Sequence, residues 1–184
     1  MAVALVPLQM VASLQTGKSE FHEDTVIAHA YKNLHIPVRL PGAEKVDWAQ
    51  ETLALVDSGE TIDAWDMLLA HGTALLQREY ADNPIDEVPV HVVRIGDTLL
   101  VTQPCELYCQ FGIDIKRRSP SRYTAIFSIA DGYNGYCPTM SGILGGGYSG
   151  EPIWWTRLSP EGGYQIVDCA ARLMNQVWQG GLLH

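Results

Sequence analysis

The sequence predicts a mixed α/β domain in which helices pack on a sheet. Two observations carry this. Apolar residues recur with a period of two in some stretches and near 3.6 in others, and turn-forming residues separate those stretches. Apolar residues are also 47% and charged residues 18% of 184, enough for one buried core and unlike a disordered chain. No internal repeat or low-complexity tract divides the chain, so residues 1–184 read as a single domain.

The elements follow in order. Residues 1–15 read as a buried strand that begins at the first residue, and this gives the expectation that a part of the domain lies upstream. Its apolar run, AVALVPLQMVASL, is broken by Pro7 and Gln9 and is too short to span a bilayer. No Lys or Arg precedes it, so it is a poor secretory signal. Residues 25–40, TVIAHAYKNLHIPVRL, read as a second strand, with Pro37 marking an edge or an end. Pro41-Gly42 closes that block. A helix is predicted over 45–57, with Trp48, Ala49, Leu53 and Val56 at helical spacing, and Ser58-Gly59 breaks it. A second helix is predicted from about Thr61 to Tyr80 on a stripe of Ile62, Trp65, Leu68, Leu69, Leu75 and Leu76. Together they read as a helical hairpin covering the sheet.

After the loop ADNP, the stretch VPVHVVRIGDTLLVTQP predicts two strands around a Gly96-Asp97 turn. A short helix starts after Pro104 and runs to about Arg118. Residues 122–129 read as a strand rich in Tyr, Ile and Phe. The loop SGILGGGYSGEP is glycine-rich but lacks the Lys-Ser/Thr ending of a phosphate loop. The last helix is predicted with Ser159 as its N-cap and Pro160 at its first position. Its core face is Ile166, Ala170, Leu173, Met174 and Val177.

The net charge of −9 argues against a general nucleic-acid binder. The one basic cluster, Lys116-Arg117-Arg118, reads as the solvated end of a helix, favoured there by the macrodipole. Cys105, Cys109, Cys137 and Cys169 form no Cys-x-x-Cys pair, so all four read as small buried apolar residues rather than as disulfides or ligands.

Chemistry points to two positions. In open α/β sheets, ligands sit beyond the carboxyl ends of strands. Glu106 follows one such end. Tyr133 follows the next, within ADGYNGYCPT, where turn formers surround two large phenols. If the strands are neighbours, about 5 Å apart, both side chains reach one point. Plain structural roles stand beside this reading. Glu106 fits the first turn of a helix, where exposed N–H groups favour a carboxylate. Tyr133 and Tyr136 fit a packed bend. Tyr148, Trp154 and Trp155 fit either the lining of an acyl or sugar-like pocket or an aromatic core or interface.

The order of these motifs resembles the later part of the neutral ceramidase-like catalytic domain, which includes the neutral/alkaline non-lysosomal ceramidases of bacteria. An apolar strand ends in Pro104-Cys105-Glu106 and leads into a helix. Another apolar strand leads into Asp131-Gly132-Tyr133-Asn134-Gly135-Tyr136-Cys137-Pro138-Thr139, against a family pattern Asn-x-Tyr-x-x-Tyr-x-x-Thr. Gly147-Tyr148 and a closing helix follow. The resemblance covers about residues 86–178.

It implies part of a three-layer hydrolase domain and a zinc amidase that cleaves an N-acyl bond. By position it assigns Glu106 and Tyr133 as two of four zinc ligands, with zinc as cofactor and an N-acyl, lipid-like small molecule as substrate. The family's two zinc histidines lie upstream of everything that aligns. None of His22, His29, His35, His71, His91 and His184 sits in a matching motif, and His29 and His35 read as surface or core histidines. The family's Asn is Asp131, and its usual Gly is Cys105. The chain therefore reads as the carboxyl-terminal portion of a larger catalytic domain, with half of a metal site and no activity alone. The alternative is a non-catalytic α/β module. Either reading leaves apolar sheet surface to be buried by a second copy, so a homodimer is expected.

Overall fold

The computed structural model describes residues 25–180. The expected first strand, residues 1–15, lies outside them, as do His22 and His184. The described chain runs β1 (Ile27–Pro37), α1 (Ala43–Asp57), α2 (Ala64–Tyr80), β2 (Ile85–Ile95), β3 (Thr98–Thr102), β4 (Cys105–Leu107), α3 (Cys109–Arg117), β5 (Tyr123–Phe127), β6 (Gly135–Cys137), α4 (Met140–Leu144) and α5 (Gly162–Gly180). The α/β class expected from the sequence is the one observed.

Two sheets form. The larger has the order β1-β2-β3-β5. The β1–β2 and β2–β3 pairs are antiparallel, with Ile27 opposite Ile95 and His91 opposite Thr102. The β3–β5 pair is parallel, with Thr98 beside Tyr123, and α3 lies in the long connection that a parallel pair requires. Gly96, at φ +56°, makes the expected tight turn between β2 and β3. Pro37 ends the edge strand. Pro89 falls where β2 pairs with β1 but not with β3, so its missing N–H breaks no ladder on the other side. The smaller sheet is the parallel pair β4–β6, with Glu106 beside Tyr136.

The core lies between one face of the larger sheet and the last helix. Val88, Val90 and Val92 of β2 and Leu99 and Val101 of β3 are fully buried. α5 crosses β1 and β2. Its predicted face of Ile166, Ala170, Leu173, Met174 and Val177 is buried throughout. Phe111 and Ile115 of α3 join the same cluster. No described element covers the opposite face of the sheet, where Ile27, Tyr31, Ile95, Tyr123 and Phe127 are exposed.

Several local expectations are corrected. Glu106 does not open a helix: residues 105–107 form β4, and α3 begins at Cys109. Cys109 is exposed, whereas Cys105, Cys137 and Cys169 are buried; all four are free thiols. α2 starts three residues later than expected, because Asp63 caps it by accepting from the backbone N–H of Trp65 at 2.9 Å. Its buried positions are the small residues Ala70, Gly72 and Thr73 with Leu76, while Trp65 and Leu68 face solvent. α1 and α2 pack chiefly on each other rather than on the large sheet. Gly72 admits Ile153 and Trp155, which would meet a Cβ at 2.8–2.9 Å. Ser159 and Pro160 form a turn before α5 rather than its cap and first residue, with the Gly162 N–H on the Ser159 carbonyl at 2.9 Å. Lys116 and Arg117 do end α3, and Arg118 just beyond them pairs with Asp168.

Candidate functional site

Glu106 is presented by β4, a strand of only three residues. A buried hydrogen-bonded turn positions it. The Gln103 side chain is fully buried; it donates to the Cys105 carbonyl at 3.0 Å and accepts from the Cys105 N–H at 2.6 Å. Cys105, directly before Glu106, is also fully buried. Hydrogen bonding to Cys137 and burial raise its thiol well above the usual range, so no thiolate stands beside the carboxylate.

Tyr133 arrives through unusual backbone. Ile129 and Asp131 have φ of +55° and +62°, and Gly132 and Gly135 have +138° and +74°. Asp tolerates the left-handed region better than most residues. Gly135 is required twice over, since a Cβ there would also lie 2.4 Å from the Trp155 carbonyl oxygen. Such backbone persists where its surroundings hold it.

Those surroundings centre on Arg157, which is 3% exposed. Its guanidinium donates to Asp86 Oδ2 at 2.7 Å, the Trp154 carbonyl at 2.9 Å and the Tyr133 carbonyl at 3.0 Å. Asp86 also accepts from Asn134 Nδ2 at 2.7 Å and the Tyr80 hydroxyl at 2.9 Å. Burial, above all, raises the Tyr80 phenol, and this keeps it a donor. Arg39 secures the same region by donating to the carbonyls of Leu158, Gly150 and Thr156 at 2.9–3.0 Å.

The result brings the two sequence-selected residues together. The Tyr133 hydroxyl donates to Glu106 Oε1 at 3.1 Å. Burial of the phenol, and then this bond to a carboxylate, push the Tyr133 pKa up to about 12. Tyr136, beside Glu106 in the β4–β6 pair, is raised chiefly by hydrogen bonding to the same carboxylate. The site is thus one carboxylate facing two protonated phenols. A carboxylate oxygen and a phenol oxygen that converge fit two positions of a zinc ion's shell. Among the described residues, no group of three or more His, Cys, Asp or Glu side chains is arranged to hold a metal ion.

An aromatic array extends the site. Tyr148 meets Tyr136 edge-on at 5.6 Å and stacks on Trp155 at 5.5 Å and Trp65 at 5.7 Å. Beyond it lies a pocket of about 180 Å³ whose walls include Trp65, Leu69, Tyr148, Pro152 and Ile153, with Lys45 at 4.0 Å from Glu151 among the lining residues. Trp154 plays another part: it packs on Tyr80 and under the Arg157 guanidinium.

Sequence reasoning missed Asp86, Arg157, Asn134 and Gln103. One signal was available for Asp86. It shares the parity of Val88, Val90 and Val92, so the alternation of β2 points it inward and demands a partner.

The fold and this site define a mixed α/β domain that brings a carboxylate and two phenols together. Among solved structures, the chain is similar to neutral ceramidase from Pseudomonas aeruginosa, with a TM-score of 0.51 and 14% identity over 90% of this chain and 30% of that one. A ceramidase "complexed with C2" also matches, with a TM-score of 0.42 and 18% identity over 50% of this chain and 14% of that one. No family model matches, and no curated protein matches. The expected ceramidase-like architecture is therefore found at the level of the fold. The described helices include none long and apolar enough to cross a membrane.

Proposed function

We propose that the chain is the carboxyl-terminal portion of a zinc-dependent amide hydrolase that cleaves an N-acyl bond. It carries half of the metal site and is inactive alone. The observation that carries this reading is the convergence of the Tyr133 hydroxyl and the Glu106 carboxylate at 3.1 Å, within a fold like that of neutral ceramidase. Glu106 and Tyr133 would hold the zinc, and the remaining ligands would come from outside the described residues. Zinc, when bound, polarises a carbonyl and lowers the pKa of water.

The chain's own residues do the rest. Without a cation, Tyr133 keeps its proton and donates a hydrogen bond to Glu106. A phenolate ligand needs the cation's charge to release that proton. Tyr136 keeps its hydrogen too and points a second donor into the same space. The pocket beyond Tyr148, about 180 Å³, is smaller than the roughly 300–1,000 Å³ of a drug-sized site. It accepts a short apolar segment, which suits an N-acyl, lipid-like small molecule.

The test is zinc bound at equilibrium, with free zinc kept at one concentration on both sides of a dialysis membrane, compared among the wild type, Glu106→Gln and Tyr133→Phe. Loss of one bound zinc in both variants supports the reading, together with no N-acyl hydrolysis by the wild-type chain alone. Equal zinc content in all three overturns it.

A second reading, a non-catalytic module that self-associates, is favoured by the open apolar face of the large sheet. Its occupant would be a second copy, and this requires neither zinc nor the Glu106–Tyr133 pair.

A further inference from the structure

On the open face of the large sheet, away from the side that α5 covers, three titratable side chains form a chain of contacts. His29 Nε2 lies 3.1 Å from His91 Nδ1. His91 Nε2 lies 2.9 Å from Asp131 Oδ2. The imidazole planes are within 15° of parallel and their centres are 5.3 Å apart, so the two nitrogens meet head to head. Tyr31, opposite His91 in the β1–β2 ladder, packs its ring against that imidazole at 4.5 Å. His29 is exposed and His91 half-buried.

We propose that His29 Nε2 and His91 Nδ1 form a two-nitrogen site for a divalent transition-metal ion, with Asp131 as the carboxylate that orients His91 from behind. Imidazole nitrogen suits copper, zinc and nickel, and affinity for such a site peaks at Cu²⁺. A carboxylate on the far ring nitrogen fixes the tautomer of a ligating histidine and raises its basicity. Asp131 accepts the Nε2 proton of His91, which leaves the Nδ1 lone pair directed at His29. The proton now between the rings then belongs to His29. Loading the metal moves it to His29 Nδ1, with no net change in protons.

Ligation replaces the hydrogen bond that now joins the two rings. Two bonds of about 2.05 Å set the nitrogens about 2.9 Å apart at the right angle that Cu²⁺ favours and about 3.3 Å apart at the tetrahedral angle of zinc, and the present separation is 3.1 Å. His29 must also turn so that both lone pairs meet at one point off the line of centres, and its exposure permits that. The remaining coordination positions face solvent, so the ion is held by two protein ligands and exchanges readily. The site would tie the edge strand β1 to β2 and, through Asp131, to the loop that carries Tyr133. It does not depend on the hydrolase reading.

The probe is Cu²⁺ alone, titrated into the full chain and followed by calorimetry and electron paramagnetic resonance. The expected result is one readily exchanging equivalent whose spectrum shows coupling to two imidazole nitrogens. His29→Gln and His91→Gln should each weaken it tenfold or more. Asp131→Asn should weaken it about tenfold, in line with loss of an outer carboxylate. His71→Gln, on an exposed helix position, should change nothing. Circular dichroism of the metal-free variants, matched to wild type, separates lost ligation from lost folding. Equal copper affinity in the His29→Gln/His91→Gln double variant overturns the proposal. So does loss of the copper site in Glu106→Gln, which would put the ion at the carboxylate–phenol pair instead.

Discussion

At the scale of single residues, the Glu106–Tyr133 contact makes a prediction that needs no metal. The Tyr133 phenol is raised from the ordinary value of 10.0 to about 12, so the folded state holds its proton where the unfolded chain has lost it. The group's contribution to stability is therefore full below pH 10 and disappears as the pH rises from 10 to 12. Tyrosinate absorbance of the folded protein should show Tyr133 ionising among the last phenols. Glu106→Gln removes the negative charge beside it and should bring that ionisation to lower pH. An unchanged titration curve would mean that burial alone holds the proton. Arg157 tests the frame behind the site. Removing it strands Asp86 among buried groups, and breaking a buried pair costs about 3–5 kcal/mol. Arg157→Met should lose about that much in urea unfolding. Arg157→Lys should also be destabilising, because a point-like ammonium cannot reach Asp86 and the carbonyls of Trp154 and Tyr133 with one planar fork.

At the scale of elements, what was legible in the sequence is what is set locally. α5 was readable because its apolar positions repeat at helical spacing over many turns. The β2–β3 hairpin was readable because a glycine turn interrupts an alternating run. β4 and β6 were not, because each has three residues and exists only through pairing across thirty positions of sequence. That same pairing makes Glu106 a strand residue rather than a helix cap. The buried stripe of α2 was misread in part: Leu76 is buried as expected, but the other buried positions are Ala70, Gly72 and Thr73, and the bare Gly72 admits Ile153 and Trp155. A hydrophobicity count overlooks such residues. Gly163 in α5 shows the same logic in a form that can be measured. A Cβ there would sit 2.3 Å from the Phe111 ring, and Phe111 is fully buried. Gly163→Ala gains at most about 1 kcal/mol of helix propensity. Overpacking costs about 1–3 kcal/mol, so the variant should unfold at lower denaturant than wild type.

At the scale of the whole molecule, the two faces of the large sheet differ in kind. One is closed by α5 and α3. The other presents Ile27 at 75%, Tyr31 at 50%, Ile95 at 46%, Tyr123 at 56% and Phe127 at 48% exposure, spread over β1, β2 and β5. Side chains of this size left in water on one face are the usual mark of a surface that meets a partner. Sedimentation velocity of the wild-type chain should therefore show a dimer. Dissociation should respond weakly to salt, because the contact is apolar rather than ionic. Ile95→Lys and Phe127→Lys place charges on two strands of that face without touching the Glu106–Tyr133 pair or the buried core. Each should shift the population to monomer while circular dichroism and thermal unfolding of the monomer stay near wild type. A wild-type chain that sediments as a monomer at every accessible concentration would remove the second copy as the occupant of this face.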